Sequence, residues 1–573
     1  MTVAWPAADV AETLRRLTAP GAPFEMREAM VAGRRLRIYP TAASTMRQVF
    51  DASRRFGARD LLVYEGERIS FDAHWRAATA LGWVLHSRFG VRPGDRIAIA
   101  MRNLPEWSVC AWATLATGAV LVPLNAWEPG AVLARMLGDC GAKVLFADAE
   151  RAARLAPHRS ELAGLRMIVA RDDAAAEPLE AIIGAPSTYG ALTPEPLPDS
   201  GAGPDDDATI FYTSGTTGHA KGAVGTHRNL ATNLVNIGFR AARAAVRRGQ
   251  PPPAPPTTPR SQLLPLPFFH VTGFHSALVP AVANGATLVL MHRWDAERAL
   301  DLIEEEQIGA LTLVPSQVVQ LLSSPTLSRR DLSSVDTVGY GGAAASPELA
   351  GAVRAAFPHA MPGQGYGATE TSSLVAANSA EDLLHRPWSV GLPTPACDVR
   401  LVDDRGGDAA PGEPGELWVR GPNVVRGYWN APEATAEAFV DGWYRTGDVA
   451  TRDEEGFIRI LDRAKDMLIR GGENIYCAEI EAALQAHPAV LEAAVVGLPD
   501  AVLGEVVGAL VHLRRGHSLS AEALSAHVAP ALAAHKRPVV IRFRDAPLPR
   551  NAAGKVLKRA LKAELAAQQE PAA

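Results

Sequence analysis

Apolar runs of strand length alternate with Ala/Leu-rich stretches of helix length through the first half of the chain. No other feature limits the fold as strongly. DRIAIA (95–100) is followed by a helical stretch at 107–117, by AVLVPL (119–124), by a second helical stretch near 130–138 and by KVLFAD (143–148). Strands that read as unbroken apolar runs are buried on both faces, so the pattern predicts an α/β protein with a parallel sheet covered by helices on either side. Two uncharged stretches, Trp107 to Trp127 and Gln262 to His292, approach the length of a membrane span. Gly118, Pro123 and Asn125 break the first; Pro265, Pro267, Gly273, Pro280 and Gly285 break the second. Both read as buried helix and strand, and no integral membrane span is expected.

The 573 residues suffice for about three to four compact units. Within them lies a Pro-rich insertion at 247–261, RRGQPPPAPPTTPRS, which predicts an extended solvated loop between a helix (Thr226 to about Ala245) and a strand at 263–266. The Gly/Pro-dense PGEPGELWVRGPNVVRGYWN (411–430) predicts a small β-rich subdomain. Beyond residues 461–466 the pattern becomes α+β. It comprises a helix at 478–485, strands at 491–497 and 506–513, an Ala-rich helix near 521–534, a strand at 539–543 and a basic helix from Lys555. The expected layout is an N-terminal body, 1–461, of parallel α/β sheets plus the β-rich subdomain, and a mobile α+β lid, 462–573.

Charge and cysteine content exclude several classes. Lys and Arg number 57 against 62 Asp and Glu, a net charge of −5, so there is no electrostatic footprint for nucleic acid. Cys110, Cys140, Cys397 and Cys477 are widely spaced without a CxxC, which argues against a disulfide framework or thiol-rich metal site and fits a reducing compartment. The opening MTVAWPAADVAETLRRL lacks the basic-then-apolar order of a secretion signal, so a cytoplasmic location is expected.

Chemistry concentrates in IFYTSGTTGHAKG (210–222). An apolar strand leads into Thr213, Ser214, Gly215, Thr216, Thr217 and Gly218, with Lys221 just beyond. Glycines let backbone approach a phosphate closely; hydroxyls and an ammonium supply donors. No G-K-[ST] closes it, so it is not a Walker A loop. In GYGATE (365–370), Tyr366 offers a ring face for a purine between Gly365 and Gly367, Thr369 a hydroxyl for phosphate, and Glu370 a hard carboxylate for Mg²⁺. A helix N-terminal acid is the plainer account of Glu370. In YRTGD (444–448), Asp448 suits two ribose hydroxyls, or else merely stabilises a turn.

These motifs resemble those of the class I adenylate-forming enzymes, which include acyl- and aryl-CoA synthetases, nonribosomal adenylation domains and beetle luciferases. RNLPEW (102–107), LDRAKDMLIRGGENIY (461–476) and PRNAAGK (549–555) stand with them in the family's order. The resemblance implies ATP, Mg²⁺ and CoA as cofactors and a small-molecule carboxylic acid as substrate; it leaves the assembly open, a homodimer included. It implies that Gly341, Gly342 and Ala343 wall the adenine, that Arg463 contacts the nucleotide and that Lys465 is the hinge. Lys555 then matches the catalytic lysine, an ammonium placed where carboxylate and α-phosphate meet. Arg470, Gly471 and Gly472 resemble the loop lining the pantetheine tunnel. Cys477 and Ala220 stand where many relatives carry Pro, and Cys477 reads as packing.

The resemblance also places the acid pocket around 268–275, 312–316, 339–343 and 366–374. FFHVTGFH (268–275) has no Asp to neutralise a substrate ammonium, so an uncharged-tail acid is expected. His270 resembles the family's pocket-gating residue and joins Lys555, Thr369 and Glu370 as a catalytic candidate. Gly339, Gly341 and Gly342 leave room for a tail; a medium or long fatty acid is slightly preferred over an aryl acid. The expected reaction is acid–thiol ligation: ATP, acid and CoA give acyl-CoA, AMP and pyrophosphate through an acyl-adenylate. The alternatives are an aryl-acid ligase, an enzyme loading a carrier protein, and a non-catalytic ATP/acyl-binding protein.

Overall fold

The computed structural model describes residues 5–213, 220–253, 260–471, 473–550 and 556–567. Among these, the alternating first half folds into two mainly parallel sheets. One has the order Lys221–Thr226, Asp207–Thr213, Val120–Pro123, Arg96–Ala100, Val144–Asp148, Arg166–Ala170, its first two strands antiparallel. The second runs from Leu392–Pro393 through Ala376–Ser379, Met361–Tyr366, Thr337–Gly341, Ala310–Leu313, Ser261–Leu264 and Thr287–Leu290 to Asp60–Tyr64 and Glu67–Ser70. The helix Pro105–Ala116 is buried along its whole length. Its Trp107 and Trp112 belong to one core with Ile97 and Phe146 of the first sheet and Leu62, Leu264 and Leu288 of the second. Such burial requires a helix apolar nearly all round, and its one acid, Glu106, is paired with Arg171 at 2.8 Å. No helix of the described residues is long and apolar enough to cross a membrane.

A few elements position the site. Strand β1 (Lys221–Thr226) leads into helix α1 (His227–Arg247), which starts at a capping box: Thr226 Oγ1 accepts from the Asn229 N–H, and the Asn229 side chain accepts from the Thr226 N–H. Strands β2 (Ser261–Leu264), β3 (Ala310–Leu313), β4 (Thr337–Gly341) and β5 (Met361–Tyr366) run parallel, and β6 (Ala376–Ser379) returns antiparallel beside β5. β2 stops before Pro265 instead of continuing to 266, because proline cannot donate to a ladder.

The Gly/Pro-dense region forms a smaller sheet of Asp398–Val402, Gly415–Arg420, Phe439–Val440, Trp443–Arg452 and Ile458–Arg463. The C-terminal sheet joins Leu468–Arg470, Glu473–Ile475, Val490–Asp500, Gly504–Leu513 and Val540–Arg544. Helix Ala521–Val528 is shorter than the expected 521–534, since Pro530 has no N–H to continue the helical ladder. The final helix, α2 (Lys558–Ala567), starts three residues after the expected Lys555.

Candidate active site

One cavity of about 2540 Å³ collects most of the residues singled out in the sequence: Thr213, Lys221, His270, Gly341, Gly342, Gly365, Tyr366, Gly367, Thr369, Glu370, Asp448, Arg463 and Lys465 all line it. Ala343 and the pair Arg470–Gly471 do not; Arg470 instead donates through Nη1 to the His535 carbonyl at 2.7 Å. Ser214, Gly215, Thr216, Thr217, Gly218, Gly472 and Lys555 lie outside the described residues.

At one end of the cavity, Thr213 and Lys221 pair across two antiparallel strands. The Lys221 ammonium sits over the Tyr428 ring, 5.3 Å from its centroid, and the Tyr428 hydroxyl donates to Glu370 Oε1 at 2.7 Å. Tyr428 thus couples the cation to the carboxylate. It is held by a strand-like segment docked on β1, where the Trp429 N–H donates to the Gly222 carbonyl at 2.7 Å and the Val224 N–H to the Gly427 carbonyl at 3.0 Å. Sequence reasoning missed Tyr428, because RGYWN carries no signal beyond a turn.

In the adjoining region the Tyr366 hydroxyl donates to Asp448 Oδ2 at 2.6 Å, while Arg463 Nε approaches Oδ1 at 3.1 Å. Cross-strand pairing of Asp448 with Arg463 fixes this geometry. Burial and the neighbouring Asp448 push the Tyr366 phenol well above its usual range, so it remains a donor. Each Asp448 oxygen keeps a lone pair for a ribose hydroxyl. Gly367 tolerates no side chain: a Cβ there would stand 1.3 Å from the Ser373 carbonyl oxygen. The Thr369–Thr371 turn that carries Glu370 is pinned by the Ala368 N–H donating to Thr371 Oγ1 at 2.9 Å.

The remainder of the cavity is a slot. RNLPEW supports it from behind: Asn103 accepts from the Phe268 N–H and donates to the Leu266 carbonyl, each at 2.8 Å, which sets the turn before His270. His270 lines the slot half-buried, and burial pushes its imidazole down to about 4, so it is neutral at pH 7. Beyond it, β4 and β5 pair Gly339 with Gly363 and Gly341 with Gly365. Alternate residues of a strand share a face, and all four glycines line the cavity, so two strands present a floor of bare peptide. The opposite wall is α1, whose Gly238, Ala241, Ala244 and Ala245 are small.

The small C-terminal unit closes the cavity with Val495, Gly497 and Val556–Arg559. Lys465, at the junction, has its ammonium pKa lowered by burial and by Arg463. Cys477 is buried, its thiol raised by burial, and its Sγ donates to the Asp466 carbonyl at 3.2 Å, as suits a packing residue. Among the described residues no group of three or more His, Cys, Asp or Glu could hold a metal by itself. Glu370 offers a carboxylate oxygen to a cation otherwise held by phosphates and water, the habit of Mg²⁺.

With this geometry in place, sequence comparison decides the family. The model of the AMP-binding enzyme family matches residues 49–429, and that of the AMP-binding enzyme C-terminal domain matches 479–555. The chain belongs to the AMP-binding enzyme family. A feruloyl-CoA synthase from Amycolatopsis sp is 37% identical over 475 residues, covering 82% of this chain and 88% of the relative. A long-chain-fatty-acid–CoA ligase from Yersinia pestis is 33% identical over 553 residues, covering 92% and 95%. The crystal structure of an anthranilate CoA ligase in complex with anthranoyl-AMP superposes with a TM-score of 0.81 at 25% identity, over 92% of this chain and 99% of that one. The protein is accordingly an AMP-forming acid–CoA ligase that works through an acyl-adenylate, with ATP, Mg²⁺ and CoA as its cofactors. Mg²⁺ supplies charge neutralisation at the phosphates when bound.

Proposed function

We infer that the acid this ligase activates is aromatic. The observation that carries this reading is the glycine floor. Facing pairs 339/363 and 341/365 leave a strip of bare peptide, edged by Leu374 at Gly365, on which a planar ring can lie, opposite small residues of α1. An alkyl chain gains nothing from flatness. This reverses the slight preference for a fatty acid drawn from the glycines alone. The similarity to a feruloyl-CoA synthase and to an anthranilate CoA ligase supports the same order. The walls near His270 present Phe269 and Val271 and no carboxylate, which suits an acid without an ammonium group.

In this reading Lys221 and Thr213 bind phosphate, Glu370 holds Mg²⁺, Asp448 and Arg463 hold the ribose, and Tyr366 stacks on the adenine. The unit 462–573 turns about Lys465 between the two half-reactions. Lys555 supplies the ammonium at the pentavalent centre, and the described residues immediately after it, Val556–Arg559, lining the cavity support that role.

The test is CoA-dependent AMP release across cinnamates, benzoates and straight-chain fatty acids, with Lys555→Ala as control. Cinnamates or benzoates are expected to give the highest kcat/KM, and the variant to lose most of the rate. Decanoate outperforming every aromatic acid would return the fatty-acid reading. Pyrophosphate exchange without acceleration by CoA would indicate a carrier protein as acceptor.

A further inference from the structure

The slot does not end in hydrocarbon. Past Gly339 and Gly363 the cavity reaches Arg240 of α1, Arg260, Thr337 at the start of β4, and Ser379 of β6. Helix α1 carries a row of arginines, and the fold treats them unequally. Arg243 donates to the carbonyls of Leu392, at 3.3 Å, and Ala377; Arg247 clasps Asp382 through Nε and Nη2 at 3.0 and 2.8 Å. Arg240 has nothing comparable. Among the described residues its guanidinium makes no hydrogen bond or ion pair, and the charged group acting on it is another arginine, Arg260.

Arg240 is half-buried, and its side chain forms part of the cavity wall. Its Nη1 lies 3.9 Å from where a Cβ on Gly363 would stand, so the group reaches over the glycine floor. Arg260 is half committed: Nη2 donates to Thr337 Oγ1 at 2.8 Å and pairs with Asp336, while its buried Nε has no partner. Ser379 Oγ is buried without a partner as well. The segment 254–259 just before Arg260, which lies outside the described residues, contains no acid.

A guanidinium cannot shed its proton, and one held half-buried without an ionic partner is a ready receiver for an anion. The uncommitted guanidinium of Arg240 therefore stands at one end of the acid slot, with Arg260 and Ser379 beside it in the cavity wall, and an anion there satisfies it. We propose that the acid activated by this enzyme carries a second anionic group, a carboxylate or its equivalent, at the end remote from the reacting carboxyl, received by Arg240 and Arg260. From Thr337 to Gly341 is four residues of strand, roughly 13 Å at strand rise, which sets the length of such a molecule. The proposal rests on the slot being the acid site, and it adds the substrate's far end to the aromatic reading.

The experiment compares matched acids, 4-carboxycinnamate against 4-methylcinnamate and sebacate against decanoate, as ratios of kcat/KM for CoA-dependent AMP release. For a pair that is not turned over, the ratio of inhibition constants against an acid that is turned over replaces it. The diacid of a pair is expected to win by roughly tenfold or more, the scale of a charge-assisted hydrogen bond. In Arg240→Leu that ratio is expected to collapse or invert, and Arg240→Lys to restore part of it. A variant that merely damages the fold lowers both members alike and leaves the ratio unmoved, and the wild-type ratio alone then decides. A wild-type preference for the monoacids, or a ratio unmoved in well-folded Arg240→Leu, overturns the proposal. Sebacate winning while all cinnamates are inert overturns the aromatic reading but keeps the distal anion site. Cinnamates turned over without preference do the reverse.

Discussion

At the scale of single residues, the phosphate end depends on a side chain that no motif advertises. Tyr428 links Lys221 and Glu370, its ring beneath the ammonium and its hydroxyl on Oε1. Burial and the adjacent carboxylate raise the phenol, so it stays a donor and keeps one Glu370 oxygen oriented while the other remains free for a cation. Tyr428→Phe retains the ring and removes the hydrogen bond. A hydrogen bond to a charged group contributes about 1.5–3 kcal/mol, so kcat/KM for ATP is expected to fall by roughly tenfold or more. Steady-state kinetics with ATP as the varied substrate check this. An unchanged value would mean that Glu370 needs no positioning from Tyr428.

At the scale of elements, the same residue type has two different duties in one strand and the loop after it. Gly363 has room for a Cβ, whose nearest neighbours, the Ser379 hydroxyl and the Arg240 guanidinium, would lie at ordinary contact distances of 3.8 and 3.9 Å. Gly367, just past the end of β5, has no such freedom, with the Ser373 carbonyl oxygen 1.3 Å from any Cβ. Gly363→Val is therefore expected to fold with an unaltered melting temperature and to raise KM for the acid about tenfold by filling the slot, the cost of losing one well-seated group. Gly367→Ala is expected to displace the turn bearing Glu370 and to yield unstable protein. Melting curves and acid kinetics on the two variants separate a floor from a hinge of backbone contacts, and equal destabilisation of both would contradict the floor.

At the scale of the whole molecule, acid stability is set by histidines that the fold keeps neutral. Burial pushes His74, His227, His270 and His275 each from 6.5 down to about 4. Between these values the unfolded chain binds protons that the folded one excludes, so stability falls as pH drops from about 6.5 toward 4. Each such group contributes up to about 1.4 kcal/mol per pH unit in that window. The melting temperature is expected to hold between pH 8 and 7 and to fall by ~10 °C or more by pH 5, as a thermal-melt series can show. A flat profile to pH 5 would mean that these imidazoles reach water.

Residues that act together with their neighbours in sequence are legible from the sequence alone. Lys221 after its glycines, Glu370 after Tyr366, and the alternation of DRIAIA with helical stretches all carry their chemistry or their periodicity within a short window. The sheet order, the buried helix with Trp107 and Trp112, and the gathering of Lys221, Tyr366, Asp448 and Arg463 around one cavity agree with that reading. Tyr428 and Arg240 are not legible in this way, because their meaning is relational. A tyrosine in a turn becomes a tether only when a segment far along the chain returns to dock on β1. An arginine in a helical row becomes unpaired only when Asp382 reaches Arg247 and no acid among the described residues reaches Arg240. Sequence periodicity fixes which face of an element is buried; what that face meets across the core is set by tertiary packing, since the partners come from distant segments.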